Sequence, residues 1–155
     1  MKKEDAEYAD FAEGRGASRV RRPGGARLLH GQLTDAILGA FYAVHTELGH
    51  GFLESVYSNA LAVLLDAATL RIDREVPFQV MFHGHLIGLY RADFVVQSSV
   101  VVEVKANRTI LPAHKAQLLN YLRASGLQVG LLLNFGQSAE FARVVSTRSA
   151  PRPPA

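Results

Sequence analysis

Val100-Val101-Val102-Glu103-Val104-Lys105, with Asp93 seven residues before it, is the stretch from which the fold is read. Four valines in six positions favour a strand, because β-branched side chains lose little freedom on a pleated surface. A nearly unbroken apolar run suggests a strand covered on both faces. Two charges nevertheless lie inside it. Side chains alternate along a strand, so Glu103 and Lys105 leave one face while Val100, Val102 and Val104 leave the other. An unpaired charge in such a run costs several kcal/mol, on the order of what one buried ion loses in solvation.

Two explanations are open. One is an ion pair near a strand end. The other is a metal site. Asp93 lies near the end of the preceding run, Leu86 to Phe94, and a short connection at 97–99 would fold that run back beside 100–105 as a hairpin. Asp93 then comes near Glu103. Neighbouring carboxylates repel unless one is protonated or a divalent cation lies between them, and oxygen ligands of this kind suit Mg²⁺. A nearby lysine completes a set able to activate water.

The chain of 155 residues is long enough for one domain with a real core, and its 48% apolar content is that of a globular protein. It has no cysteine, which excludes disulfides, thiolate zinc sites and a cysteine nucleophile, so any metal is held by oxygen or histidine. No apolar run approaches the roughly 20 residues needed to span a bilayer, and the first thirty residues lack the apolar centre of a secretory signal. The expected location is the cytoplasm, with no membrane partner. A net charge of +3 permits a polyanionic partner. Arg15, Arg19, Arg21, Arg22 and Arg27 cluster without an acid among glycines, so 1–28 reads as a flexible basic leader. The folded domain is expected over 29–145, and 146–155 reads as a proline-rich disordered tail.

Apolar residues at Leu33, Ile37, Leu38, Phe41, Val44 and Leu48 lie on one face of a helix, with Thr34 or Asp35 as its cap and Gly49 as its end. His45 projects onto that face and reads as a hydrogen-bonded core residue. A second helix is expected over 53–67. Its Glu54 lies at the edge of the apolar face, so the helix can bring a third acid toward Asp93. The runs 72–82 and 86–94 are separated by His83-Gly84-His85, a turn signal, and read as a hairpin that 100–105 extends to a meander. The two histidines are explained by that turn. Pro77 places the first strand at an edge or shortens it. Pro112 starts a third helix reaching about Ala124, on which His114, Gln117 and Tyr121 form a stripe beside the core face of Leu118, Leu119 and Leu122. Residues 129–134 form a short internal strand, parallel to 100–105 because a helix connects the two. Beyond Gly136 the pattern fades.

Asp93 followed by Glu103-x-Lys105 resembles the signature of the PD-(D/E)xK nuclease superfamily. Gly51-Phe-Leu-Glu54-Ser-Val-Tyr57 resembles the motif that names its GxxExxY protein family, although His50 stands where members commonly carry proline. Gln117-x-x-x-Tyr121 is similar to the helix motif of RecB-like members. The element order also fits: a mixed α+β sheet domain with a restriction-endonuclease-like core, running helix, helix, three-strand meander, helix, strand. The resemblance implies that Asp93, Glu103, Lys105 and Glu54 are catalytic. It implies that Asp93, Glu103, the Val104 carbonyl and Glu54 hold Mg²⁺, which Mn²⁺ can replace, and that Gln117 and Tyr121 lie near the substrate, toward which His114 is also expected to reach from its place in the same stripe. The expected activity is hydrolysis of phosphodiester bonds in nucleic acid, DNA ahead of RNA. The alternative is a catalytically inactive module of the same fold that binds nucleic acid or a protein. With no separate recognition domain evident, specificity is expected from a homodimer or a partner.

Overall fold

A computed structural model describes residues 12–14 and 29–147. Helices α1 (Gly31–Leu48) and α2 (Glu54–Ala67) precede the hairpin of β2 (Ile72–Phe82) and β3 (His85–Val96). Next come β4 (Val100–Lys105), α3 (Pro112–Ser125), β5 (Val129–Phe135) and β6 (Ala139–Val145), while a short β1 (Ala12–Gly14) precedes α1. These strands form one mixed sheet in the order β1-β6-β5-β4-β3-β2. β4 and β5 run parallel, as a helical crossover requires, and the other neighbours are antiparallel. The expected elements are all present. No helix among the described residues is long and apolar enough to cross a membrane.

The sheet is covered on both faces, which is why its central strands are so apolar. On one face Val100, Val102, Val104, Leu131 and Leu133 pack with Ile37 and Phe41 of α1 and Tyr57, Leu61 and Leu65 of α2. On the other, Val101, Leu132, Ala142 and Val144 pack with Leu118 and Leu122 of α3. Every residue of β5 is buried, and a Cβ on its Gly130 would lie 2.9 Å from a Leu118 methyl, so glycine there lets α3 settle close to the sheet.

Two details differ from the expectation. α1 starts earlier, after His30, whose backbone is left-handed, and neither Thr34 nor Asp35 caps it. The Thr34 hydroxyl instead donates back to the Gly31 carbonyl at 3.0 Å. Secondly, the chain beyond Gly136 is not patternless: Ala139–Val145 forms β6 against the whole length of β5. Arg143 is buried there and donates to the Leu29 carbonyl at 2.6 Å. That charge masks the strand in the sequence, because burial of an arginine is set by a distant carbonyl and not by its neighbours. β1 lies within the stretch expected as leader and pairs with β6. The rest of that stretch and residues 148–155 lie outside the described residues.

The turn between β3 and β4 is tied down. Ser99 N–H donates to the Val96 carbonyl at 3.0 Å, while Gln97 exchanges two bonds with Arg71, its N–H to the Arg71 carbonyl at 2.8 Å and its side-chain oxygen accepting Arg71 N–H at 3.0 Å. The turn therefore cannot slide relative to the entry of β2.

Candidate active site

β3 and β4 pair only through Phe94–Val102, Val95–Val101 and Val96–Val100. One more step of that register sets Asp93 opposite Glu103. The backbone ladder ends before reaching them. β4 stays with β5 over all six of its residues, whereas β3 continues with β2, so the sheet forks at the two acids. The alternation of β3 also slips here: Tyr90 and Ala92 face α3, Phe94 faces α1 and α2, and Val95 faces α3 again. Opposite Asp93 in β2, Glu75 has a left-handed backbone with φ of 49°, a conformation uncommon outside glycine.

Side chains replace the missing ladder bonds. Asp93 Oδ2 accepts the Val104 N–H at 2.8 Å, and Glu103 Oε1 accepts the Asp93 N–H at 3.2 Å. Each acid thus satisfies a main-chain donor on the other's strand. Glu103 Oε1 also accepts the Tyr90 hydroxyl. These bonds hold two carboxylates side by side in a largely buried position.

Their electrostatics follow from burial first and from neighbouring charge second. Burial, then the charge of Asp93, pushes Glu103 up to about 7, against the opposing pull of the Tyr90 and Asp93 hydrogen bonds and of Lys105. Asp93 is raised as well, by burial first, with the Val104 N–H and Lys105 opposing and the charges of Glu54 and Glu75 adding to the rise. Tyr90 is pushed far up by burial and by the Glu103 charge. Lys105 forms no ion pair among the described residues, where the one salt bridge joins Arg71 to Asp73 at 3.5 Å. The explanation of Glu103 and Lys105 as a structural ion pair therefore lacks its contact.

The other residues singled out in the sequence fall as follows. Glu54 is exposed in the first turn of α2, close enough to influence both Asp93 and His114. His114 feels Lys105 and Glu54, and burial lowers its pKa first. It also has a local task, since its Nδ1 accepts the Leu111 N–H at 3.1 Å at the start of α3. Tyr121 stacks on Tyr90 with ring centres 3.2 Å apart, and its pKa is raised by burial and by Glu103. Gln117 is exposed one turn before Tyr121, with no contact tying it to the acids. His45 bonds the Gly136 carbonyl at 2.9 Å, and His83 and His85 are exposed at the hairpin turn. Sequence reading passed over Tyr90 and Glu75. Tyr90 looks like any strand aromatic, and a backbone as unusual as that of Glu75 leaves no trace in residue type.

The Gly51…Glu54…Tyr57 spacing also acquires a physical meaning. Gly51 has φ of 106°, accessible in practice to glycine. The Tyr57 hydroxyl donates to the Gly49 carbonyl at 2.8 Å and accepts the Phe52 N–H at 3.3 Å, while its ring stacks on Phe135 at 4.3 Å. Glycine makes the turn, tyrosine latches it, and Glu54 is thereby set at the helix end nearest the fork. Tyr57→Phe is expected to destabilise the protein by about 1–2 kcal/mol, because the Gly49 carbonyl loses its partner. A drop of several degrees in Tm by calorimetry would show it.

Among the described residues, no three His, Asp or Glu side chains form a ready metal cluster. The donor set is instead two carboxylates with a main-chain carbonyl, at Val104, next in sequence to Glu103. That set fits a hard divalent cation of the Mg²⁺ type, which commonly uses one or two carboxylates and fills its remaining positions with water and substrate phosphate. A cation there would also offset the Asp93 charge that, after burial, raises Glu103.

A family model described as PD-(D/E)XK nuclease superfamily matches residues 31–144. The crystal structure of SSO0001 is similar at 22% identity and a TM-score of 0.46, over 77% of this chain and 60% of its own. This chain thus spans about 60% of the length of that protein. No curated protein matches the chain at a significant level.

Proposed function

The chain belongs to the PD-(D/E)XK nuclease superfamily, and from that membership we propose that it is a Mg²⁺-dependent nuclease that hydrolyses phosphodiester bonds, in DNA ahead of RNA. The observation that carries the proposal is the fork between β3 and β4. Asp93 and Glu103 are held side by side there by main-chain N–H groups on each other's strands, with Lys105 on the strand of Glu103 and outside any ion pair among the described residues. A buried repulsive pair is costly to keep in a domain that needs only stability, and it is the chemistry that a phosphodiester requires.

A phosphodiester is anionic and repels hydroxide, so cleavage needs a cation, a positioned water and help for the leaving oxygen. Asp93, Glu103 and the Val104 carbonyl would hold the metal, with Glu54 close enough to join directly or through water. When bound, Mg²⁺ supplies charge neutralisation at the phosphate and lowers the pKa of water. Lys105 orients the attacking water or stabilises the charge that grows on the phosphate oxygens. His114, Gln117 and Tyr121 line the α3 side, where the nucleic acid would lie. Water attacks phosphorus, the bond to the leaving oxygen breaks, and that oxygen takes up a proton.

The test is cleavage of double-stranded DNA, single-stranded DNA and RNA with Mg²⁺ or Mn²⁺ against a chelator. Wild-type protein should cut in the metal and not in the chelator. Lys105→Ala should cut roughly 10²-fold more slowly or worse, in the range of one lost general acid–base or electrostatic group. Metal-independent cutting, or Lys105→Ala cutting at the wild-type rate, would remove the basis of the mechanism. A folded protein that neither cuts nor binds Mn²⁺ would support the inactive binding module.

A further inference from the structure

Two donors converge on a single oxygen of Glu103. The Tyr90 hydroxyl and the Asp93 N–H both reach Oε1, and no hydrogen bond among the described residues reaches Oε2. Asp93 is held in the same way, with Oδ2 on the Val104 N–H and no hydrogen bond to Oδ1 among the described residues. Each carboxylate therefore keeps one oxygen committed to the protein and one available.

The stronger of these restraints is a rigid one. The Tyr90 ring is stacked with Phe78 of β2, with ring centres 6.1 Å apart, and with Tyr121 of α3, at 3.2 Å. The residue is only 9% exposed. A ring stacked with two others in a packed interior has few rotamers open to it, so its hydroxyl stays on Glu103.

We propose that Tyr90 is a positioning residue: by occupying Glu103 Oε1 it restricts that carboxylate to one-oxygen coordination, and so makes the site select Mg²⁺ or Mn²⁺ over Ca²⁺. The inference rests on the metal-dependent reading above. Its physical basis is the difference between the ions. Ca²⁺ gathers about 6–8 oxygens in a flexible shell and gains from carboxylates that clamp it with both oxygens, whereas Mg²⁺ takes a small octahedron that one oxygen from each of two carboxylates serves well. For Glu103 to clamp an ion with both oxygens, the Tyr90 bond would have to break. Groups that orient ligands in this way typically contribute about 10–100-fold to metal affinity.

The experiment is calorimetric titration of the full chain with Mn²⁺ and, separately, with Ca²⁺, without nucleic acid, for wild type, Tyr90→Phe and Phe78→Leu. Tyr90→Phe keeps the ring and its stack and removes only the hydroxyl. Its Mn²⁺ affinity should fall by about 10-fold or more, with Ca²⁺ affinity unchanged or raised, so the ratio of the two falls. Phe78→Leu loosens the stack and keeps the hydroxyl, so it should lower Tm and move the ratio less than Tyr90→Phe does. Tyr90→Leu, which removes hydroxyl and ring together, should match Tyr90→Phe in ratio and provides a second hydroxyl-free variant. If Tyr90→Phe binds both ions with the wild-type ratio, or if Phe78→Leu moves the ratio as far, the inference is overturned while the nuclease reading stands. Wild-type protein that binds neither ion would overturn both.

Discussion

Asp93→Asn is expected to reduce phosphodiester cleavage by about 10³-fold or more while leaving the protein folded, with Tm unchanged or higher. Loss of a preorganised charge at a phosphoryl or acyl transfer site commonly has an effect of this size, and under the proposed mechanism the substitution would also remove a metal ligand. The fold survives because its need for residue 93 is different from the need of catalysis. The Val104 N–H requires an acceptor at 2.8 Å, and the amide oxygen of asparagine supplies one. The buried pair requires less repulsion, which the neutral side chain also provides. A cleavage assay and a thermal melt on the same preparation separate the two roles. Equal losses of activity and of Tm would mean that Asp93 acts through folding alone.

Glu103→Gln should produce an opposite change in stability and activity, and its stability effect depends on pH in a direction fixed by the site. Burial and the Asp93 charge raise Glu103 from 4.5 to about 7 in the folded protein. A carboxyl whose folded pKa lies above its unfolded value stabilises the fold while protonated. That contribution is complete below about 4.5 and is lost as pH rises through about 7. Asp93 is raised too, so its contribution has the same sign. Metal-free wild-type protein should therefore lose stability between those two pH values. Glutamine still accepts the Tyr90 and Asp93 donors and never ionises. At pH 8, without divalent metal, Glu103→Gln should be more stable than wild type by on the order of 3 kcal/mol, with a flatter dependence on pH and with cleavage reduced as strongly as in Asp93→Asn. Denaturant melts at pH 5 and pH 8 are the check. A wild-type protein equally stable at both, or a destabilised Glu103→Gln at pH 8, would contradict the reading of a strained acid pair.

Much of this was legible because the decisive signals are local. The valine run, the hairpin turn at Gly84 and the short connection at 97–99 together set Asp93 across from Glu103 with no knowledge of the helices. The burial of β5 and its parallel pairing followed from an apolar run reached through a helix. What escaped depends on distant partners. β6 carries Glu140 and Arg143 within seven residues, and its pairing with β5, together with the Leu29 carbonyl for Arg143, makes it a strand. α1 begins without a capping side chain, so the sequence marks its start in the wrong place. At the site, the acids were visible as charges in an apolar run, whereas Tyr90 was not, because an aromatic in a strand is ordinary until its hydroxyl is found on a carboxylate. The lack of an ion pair at Lys105 among the described residues was likewise a matter of geometry.

The anchored turn at Gln97 to Ser99 bears on how this segment can change over time. Because its main chain is bonded both to Val96 and to Arg71, an added or deleted residue cannot be absorbed within the turn and passes into the strands. A one-residue slip would turn every following side chain to the opposite face, carrying Glu103 and Lys105 away from Asp93. Length is thus held more tightly than identity between Asp93 and Lys105: the valines can be exchanged for other apolar residues, but an insertion there would separate the two acids at once.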